Sequence, residues 1–357
     1  MISKRLRTIA SSLAIVLLVA AIAACTPEHP QSTFDSHGPV AEAQMGLFNL
    51  LTWIVTVVFI LVTGGLLYTI FKFRARPGAP PPQDIHGNTK LEIAWTVIPI
   101  ILLAAVAVPT VQNQFYIAAP PEGEDKLVVN VVAHQWWWEF DYPDLGLSTA
   151  NEFHVPVGTN IEFNMTSDDV LHSFWVPKLA GKMDIIPGKS TTMWFKADST
   201  DADPSTPEKD SFYGQCAEFC GVAHSWMRFR VFVDEQDEFD AWVEHEKSNA
   251  KDPESDIEKE GYQLFLTKGC VACHAIQGRP DAVALRGPNL THFGSRSTLA
   301  SGIEDNNSEN LKVWLNNPDD IKGGTIMANE AAVYINADLA LSNSDLDALV
   351  AYLRGLK

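Results

Sequence analysis

Twelve consecutive residues carry two thiols, an imidazole and a thioether: Cys216-Ala-Glu218-Phe-Cys220-Gly-Val-Ala-His224-Ser-Trp-Met227. Sulfur and imidazole donors select copper, whereas calcium and magnesium take oxygen. One Cys, one His and one Met would suit a mononuclear blue-copper site. The second cysteine, four residues after the first, lets two thiolates on one loop bridge two copper ions. An electron shared between two metals moves with little change in bond length, which suits one-electron transfer. A Cys216–Cys220 disulfide and a zinc site are the competing readings. Zinc leaves the Met without a use. A second imidazole must come from elsewhere, with His134, His154 and His172 as candidates.

A second constellation follows. Cys270-Val-Ala-Cys273-His274 has the spacing of a haem c attachment site. Two thioethers anchor the porphyrin, and His274 stands beside them as proximal ligand. Zinc or thioredoxin-like chemistry is the alternative, and the adjacent histidine argues against it. Met327 is the only methionine after His274 and so the candidate sixth ligand. Methionine ligation raises the haem potential. His292 is its competitor. Cys25 completes the set of five cysteines, and none is left for a structural disulfide.

These groups need elements to hold them. The 357 residues predict two or three domains. The formal net charge of -18 excludes nucleic acid as a natural partner and favours a basic one. Lys4, Arg5 and Arg7 precede the apolar run Ile9–Ala24, which ends at Ile22-Ala-Ala-Cys25. This reads as a secretory signal over 1–24, and it resembles a bacterial lipobox, with Cys25 acylated as the mature N-terminus. A passive cysteine in a first membrane helix is the alternative. Residues 25–119 then hold two uncharged stretches, 47–71 and 93–116, each long enough to cross a hydrocarbon core of about 30 Å. Lys72, Arg74, Arg76 and Lys90 place the connecting loop in the cytoplasm. Everything after Tyr116 is therefore extracytoplasmic.

Residues 120–243 read as short strands between Gly, Pro and Asp clusters, a small β-sandwich closed by a helix at 235–243. The run His134-Gln-Trp136-Trp137-Trp138-Glu-Phe140-Asp-Tyr142 is expected on one strand, and its adjacent rings cannot all face one core. An acidic connector, 244–255, leads to a helical unit over 256–357. There, helices are expected at 257–266 and 344–353, the second with a Ser344–Asp347 capping box.

The copper loop resembles, position for position, that of cytochrome c oxidase subunit II. The likeness extends to Asp169-Val-Leu-His172-Ser-Phe-Trp-Val-Pro177, to the aromatic run, and to Arg286-Gly-Pro288-Asn-Leu-Thr-His-Phe-Gly-Ser-Arg296 beside the haem motif. It covers nearly the whole mature chain and is similar to the caa type, in which cytochrome c is fused to subunit II. The implied architecture is a two-helix transmembrane hairpin, an all-β cupredoxin-like domain and an all-α class I cytochrome c domain, in a bacterial cell membrane.

The resemblance implies a dinuclear CuA centre held by His172, Cys216, the backbone carbonyl of Glu218, Cys220, His224 and Met227. It implies that the Glu218 carboxylate helps bind magnesium at the interface with subunit I. Trp136 matches the tryptophan through which electrons reach CuA. Haem c would sit on Cys270, Cys273, His274 and Met327, although Ala328 stands where the family usually has proline. Glu92, in Leu-Glu92-Ile-Ala-Trp95-Thr, matches a carboxylate near the mouth of a proton pathway; an interfacial snorkelling carboxylate is the plainer reading. Electrons would pass from an external donor, a basic cytochrome or a respiratory complex, to haem c, CuA and subunit I, where oxygen is reduced and protons are pumped. A CuA-bearing subunit of a nitric oxide reductase shares these features. A quinol oxidase subunit would lack the copper ligands, and a free electron shuttle would need only one membrane anchor.

Overall fold

The computed structural model describes residue 16 and residues 29–78, 86–123, 125–200 and 211–357. The signal-like run and Cys25 otherwise lie outside the described residues. Helix α1 spans Pro39–Lys72 and α2 spans Thr89–Ala118. Proline at N1 starts α1, where its missing N–H costs nothing. Asn88 caps α2, its Oδ1 accepting from the N–H groups of Lys90 and Leu91 at 3.1 and 3.3 Å. Both helices are long and apolar enough to cross a membrane. Their side chains lie almost wholly exposed, as expected of surfaces meant for lipid or neighbouring helices.

The helices extend beyond the stretches 47–71 and 93–116 because their far ends dock on the next domain. Val40 and Ala41 are buried. Asn113 Nδ2 donates to the Ala43 carbonyl at 2.8 Å, and Tyr116 meets Trp194 edge-on at 5.8 Å. Lys178, 1% exposed, donates to Asp35 at 2.6 Å and so ties the segment before α1 to the same domain.

That domain contains β1 Lys126–His134, β2 Trp137–Tyr142, β3 Leu147–Ala150, β4 Glu152–Pro156, β5 Asn160–Ser167, β6 His172–Trp175, β7 Met183–Ile185, β8 Thr191–Phe195, β9 Ser211–Cys216 and β10 Arg228–Asp234. They form two five-stranded sheets, ordered β3-β2-β1-β5-β8 and β4-β10-β9-β6-β7. The sheets close over an aromatic core that includes Trp138, Phe140, Phe153, Phe163, Phe174 and Phe229. Neighbouring rings in it lie 4.3–6.5 Å apart, mostly tilted or edge-on. Helix α3, Gln236–Glu246, closes the domain with Phe239 and Val243 buried.

The aromatic run does not lie on one strand. His134 of β1 pairs with Trp137 of β2, so Gln135-Trp136 is the turn of a hairpin. His134 and Trp137 stack at 4.2 Å on one face, while Trp138, Phe140 and Tyr142 fill the core on the other. The two-residue turn releases Trp136 from the strand alternation that constrains the other rings.

The connector runs along the last domain: Ala250 N–H donates to Gln277 O at 3.1 Å, and Arg279 Nη2 donates to Lys251 O at 2.8 Å. That domain holds α4 Asp256–Thr267, α5 Ser308–Asn316, α6 Ile326–Glu330, α7 Ala332–Ile335 and α8 Asn343–Gly355, with a two-residue hairpin, β11 Thr298–Leu299 and β12 Glu304–Asp305. Helices α4 and α8 pack so closely that a Cβ on Gly261 would lie 2.0 Å from the Ala348 carbonyl oxygen. The cap of α8 is Ser342 with Asp345, two residues before the expected Ser344–Asp347 pair. Both pairs fit the motif, and the buried face of Leu346, Leu349, Val350 and Leu353 leaves room for an earlier start.

Candidate functional site

Six donors converge at one end of the β domain. His172 opens β6, Cys216 ends β9, and Glu218, Cys220, His224 and Met227 follow on the loop into β10. Cys216 Sγ lies 3.8 Å from Cys220 Sγ, 3.8 Å from His172 Nδ1 and 3.2 Å from the Glu218 carbonyl oxygen. Cys220 Sγ lies 3.6 Å from His224 Nδ1 and 3.9 Å from Met227 Sδ. The cysteines are free, and a disulfide would need about 2.05 Å between sulfurs. The donor set thus suits copper, each sulfur facing its own imidazole. His134 and His154 are elsewhere: each faces a carboxylate, Glu139 and Asp234 respectively.

The electrostatics suit a cation site. His172 is fully buried, and its Nε2 lies 2.8 Å from Asp169 Oδ1. Burial alone would depress the ring, but Asp169 and the Cys216 sulfur outweigh it and raise its pKa. The carboxylate also fixes the ring so that Nδ1 faces the sulfurs, the usual outer partner of a metal-bound histidine. The two thiols are pushed apart: Cys216 is held down to about 4, chiefly by its hydrogen bond with Cys220, while the same partner pushes Cys220 up. The Glu218 carboxylate turns away, with Oε2 4.0 Å from Lys182 Nζ.

Trp136 lies against this loop. Its Nε1 donates to the Cys220 carbonyl at 3.0 Å, and Gln135 Nε2 donates to the same oxygen at 2.7 Å. Gly221, at φ +117, is required here, because a Cβ would lie 2.9 Å from the Trp136 ring. Asp169 accepts from Gln135 N–H at 2.6 Å and so joins the turn to His172. Sequence reasoning gave Asp169 no role; its position three residues before His172 was the available signal.

A cavity of about 340 Å³ lies between the two extracytoplasmic domains, lined by Cys270, Cys273, His274 and Met327 from one side and by Trp136 and Trp137 from the other. His274 Nδ1 donates to the Pro288 carbonyl at 2.8 Å, which leaves Nε2 as the free lone pair. Burial pulls the His274 pKa down and keeps the ring neutral, as an iron ligand must be. Gly287 lies under this ring, where a Cβ would be 2.8 Å from it. These residues fit a covalent haem c: two thiols to anchor it, with an imidazole and a thioether lining the same cavity. Ala328 explains its departure from proline: its N–H donates to Thr325 Oγ1 at 3.1 Å and caps α6, a bond proline cannot make. His292 faces away, with Nε2 3.1 Å from the Ser248 carbonyl and its ring against His245 at 4.3 Å. Glu92 stands exposed in the first turn of α2, with no side-chain partner among the described residues.

The family models agree with this division. Those described as "Cytochrome C oxidase subunit II, periplasmic domain", the transmembrane domain of the same subunit, and "Cytochrome c" match residues 146–233, 28–112 and 258–357. A cytochrome c oxidase subunit 2 of Alkalihalophilus pseudofirmus is 37% identical over 356 residues, covering 98% of each chain. The chain belongs to the cytochrome c oxidase subunit II family. A cytochrome c oxidase subunit 2 of Bacillus subtilis is 39% identical over 337 residues, covering 91% of this chain and 92% of that one. A quinol oxidase subunit 2 of Bacillus spizizenii is 33% identical over 265 residues, covering 71% and 76%. For this member of the subunit II family, the domain matches and the donor cluster indicate copper in the β domain and haem c behind it. The two apolar helices make it a membrane protein with both of these domains outside.

Proposed function

We propose that this chain is the electron-accepting subunit of a haem–copper cytochrome c oxidase and works beside subunit I. The observation that carries this reading is the single Trp136 turn, which touches the copper loop and also lines the haem cavity. When bound, haem c and dinuclear CuA supply two one-electron carriers, through which electrons from an external donor reach subunit I for oxygen reduction coupled to proton pumping. His172, Cys216, Cys220, His224, Met227 and the Glu218 carbonyl would hold the copper pair. Cys270 and Cys273 would anchor haem c, and His274 and Met327 would supply ligands to its iron. The full set of copper donors favours this reading over a quinol oxidase role. The outward turn of Glu218 supports a magnesium ion shared with subunit I. The exposure of Glu92 supports a role against a neighbouring subunit, where the family resemblance puts the mouth of a proton pathway. Acylation of Cys25 is proposed from its sequence context alone.

Metal and haem analysis of the purified full-length chain tests the proposal. Two coppers with a mixed-valence spectrum and one covalent haem c are expected. One copper, or a Cys216–Cys220 disulfide in the loaded protein, removes the dinuclear reading.

A further inference from the structure

The cytochrome domain grips the Trp136 turn through the tip of β11–β12. Ala300, Ser301 and Gly302 have φ of 55, 67 and 73°. Two successive side-chain-bearing residues in the left-handed region persist only where their surroundings impose it. The β domain provides those surroundings. The Glu152 carboxylate accepts from the N–H and hydroxyl groups of both Ser297 and Thr298, at 2.5–3.0 Å. Arg230 donates to the Gly302 carbonyl at 3.1 Å, and Arg228 N–H donates to that of Ser301 at 3.2 Å. At the centre, Ser301 Oγ donates to the Trp136 carbonyl at 3.0 Å.

Lys322 completes the contact. It is 3% exposed, donates to Ser301 Oγ at 2.8 Å and also donates to the Trp136 carbonyl. Its hydrogen bonds among the described residues go to a hydroxyl and a carbonyl, with no carboxylate partner. A lysine so placed is costly to bury and needs a reason. Burial brings it down to about 7. The amine and the ammonium both have the two N–H donors that these acceptors use, so titration does not by itself release the grip.

We infer that Lys322 is a positioning residue: it holds the Trp136 turn, and through Trp136 the copper loop, in one register with the haem cavity. This rests on the electron route proposed above. The step it serves oxidises the haem side by one electron and reduces the copper side by one, with no bond made or broken and no proton moved. Lys322 also borders the haem cavity, but its hydrogen bonds go to Ser301 and the Trp136 carbonyl, and it acts through the Trp136 backbone.

The test uses the full-length chain with Lys322→Met and Ser301→Gly. Glycine accepts the φ of 67° while losing the hydroxyl. Lys322→Met leaves Ser301 to satisfy the Trp136 carbonyl, and Lys322→Gln serves if the Met variant is not recovered folded. Amide hydrogen exchange is read at 135–137 and 298–303, with and without metals, and haem-to-copper transfer is read after flash reduction. We expect exchange at both segments to rise about tenfold in Lys322→Met. Internal transfer should slow by about tenfold and become dependent on solvent viscosity, with copper and haem spectra unchanged. Ser301→Gly should move both readouts the same way by less. Mere loss of stability would not make a rate viscosity-dependent. Unchanged exchange at 135–137, together with an unchanged rate in Lys322→Met, overturns the inference. If the wild-type chain shows no haem-to-copper transfer, the route fails instead, and the exchange data still decide whether Lys322 holds the turn.

Discussion

The Trp136 indole nitrogen donates to the Cys220 carbonyl at 3.0 Å, so the turn of one hairpin is bonded directly to the loop that carries both copper thiols. The same ring lines the haem cavity, so one side chain meets both the cavity and the copper loop. Trp136→Leu should therefore slow haem-to-copper transfer by at least about tenfold, a loss of roughly 1.4 kcal/mol in barrier terms. Gln135 still holds the Cys220 carbonyl at 2.7 Å, so the copper spectrum should persist. A wild-type rate after flash reduction would mean that Trp136 only packs.

Met327 and His292 separate cleanly in space. Met327 lines the haem cavity, while His292 faces Ser248 and His245. Burial and the neighbouring His245 push His292 down to about 4. Met327→Ala should abolish the sulfur-to-iron charge-transfer band and lower the haem potential. His292→Ala should leave both in place. The opposite pattern in a redox titration would reassign the ligand.

Asp35 should contribute a pH-dependent tie between the N-terminal segment and the β domain. Burial works to raise its pKa, but hydrogen bonds from Lys178 and His37 outweigh it and hold it below the ordinary carboxylate value. A depressed folded-state value gives stability that is fully present above the unfolded value of about 3.9 and is lost as pH falls through the folded one. Asp35 is about a third exposed, so the contribution should be only about 1 kcal/mol. Thermal unfolding of the wild type and Asp35→Asn between pH 7 and pH 3 checks this. The difference between the two should be largest at pH 7 and shrink as pH falls below the unfolded value; a constant difference would exclude titration of Asp35.

The copper loop and the haem-attachment motif were legible because these donors are local in sequence, Cys216 to Met227 on one loop and Cys270 to His274 on one turn; His172, 44 residues from Cys216, came only with the family resemblance. The membrane helices were legible because lipid leaves a long uncharged stretch. The Trp136 turn was not, since alternation alone cannot say where a strand reverses. Nor was the α8 cap, because Ser342–Asp345 and Ser344–Asp347 satisfy the same local rule. Lys322 lies in Pro-Asp-Asp-Ile-Lys322-Gly-Gly, which reads as a solvated surface run. Its partners, Ser301 and Trp136, are 21 and 186 residues away. Glu152 likewise reads as a strand-edge charge until Ser297 and Thr298 close over it. Contacts between domains follow no short-range period, so sequence patterns do not reveal them.

Salt should distinguish the internal transfer from the external one. The domains already share a fixed interface through Glu152, Arg230 and Trp136, and the connector keeps them together at an effective concentration in the millimolar range or above. No charged diffusional encounter remains to be screened within the chain. An external basic donor, by contrast, must be steered by a protein of net charge -18. Its field is screened over about 10 Å at 0.1 M salt. Raising salt from about 20 to 200 mM should change the haem-to-copper rate by less than about twofold, while the second-order rate with a basic cytochrome falls by about tenfold or more. Stopped-flow and flash measurements on the same preparation give both numbers. If the internal rate falls in parallel with the external one, the domains must separate and re-dock in each cycle, and the interface at Trp136 is not the resting state from which the electron moves.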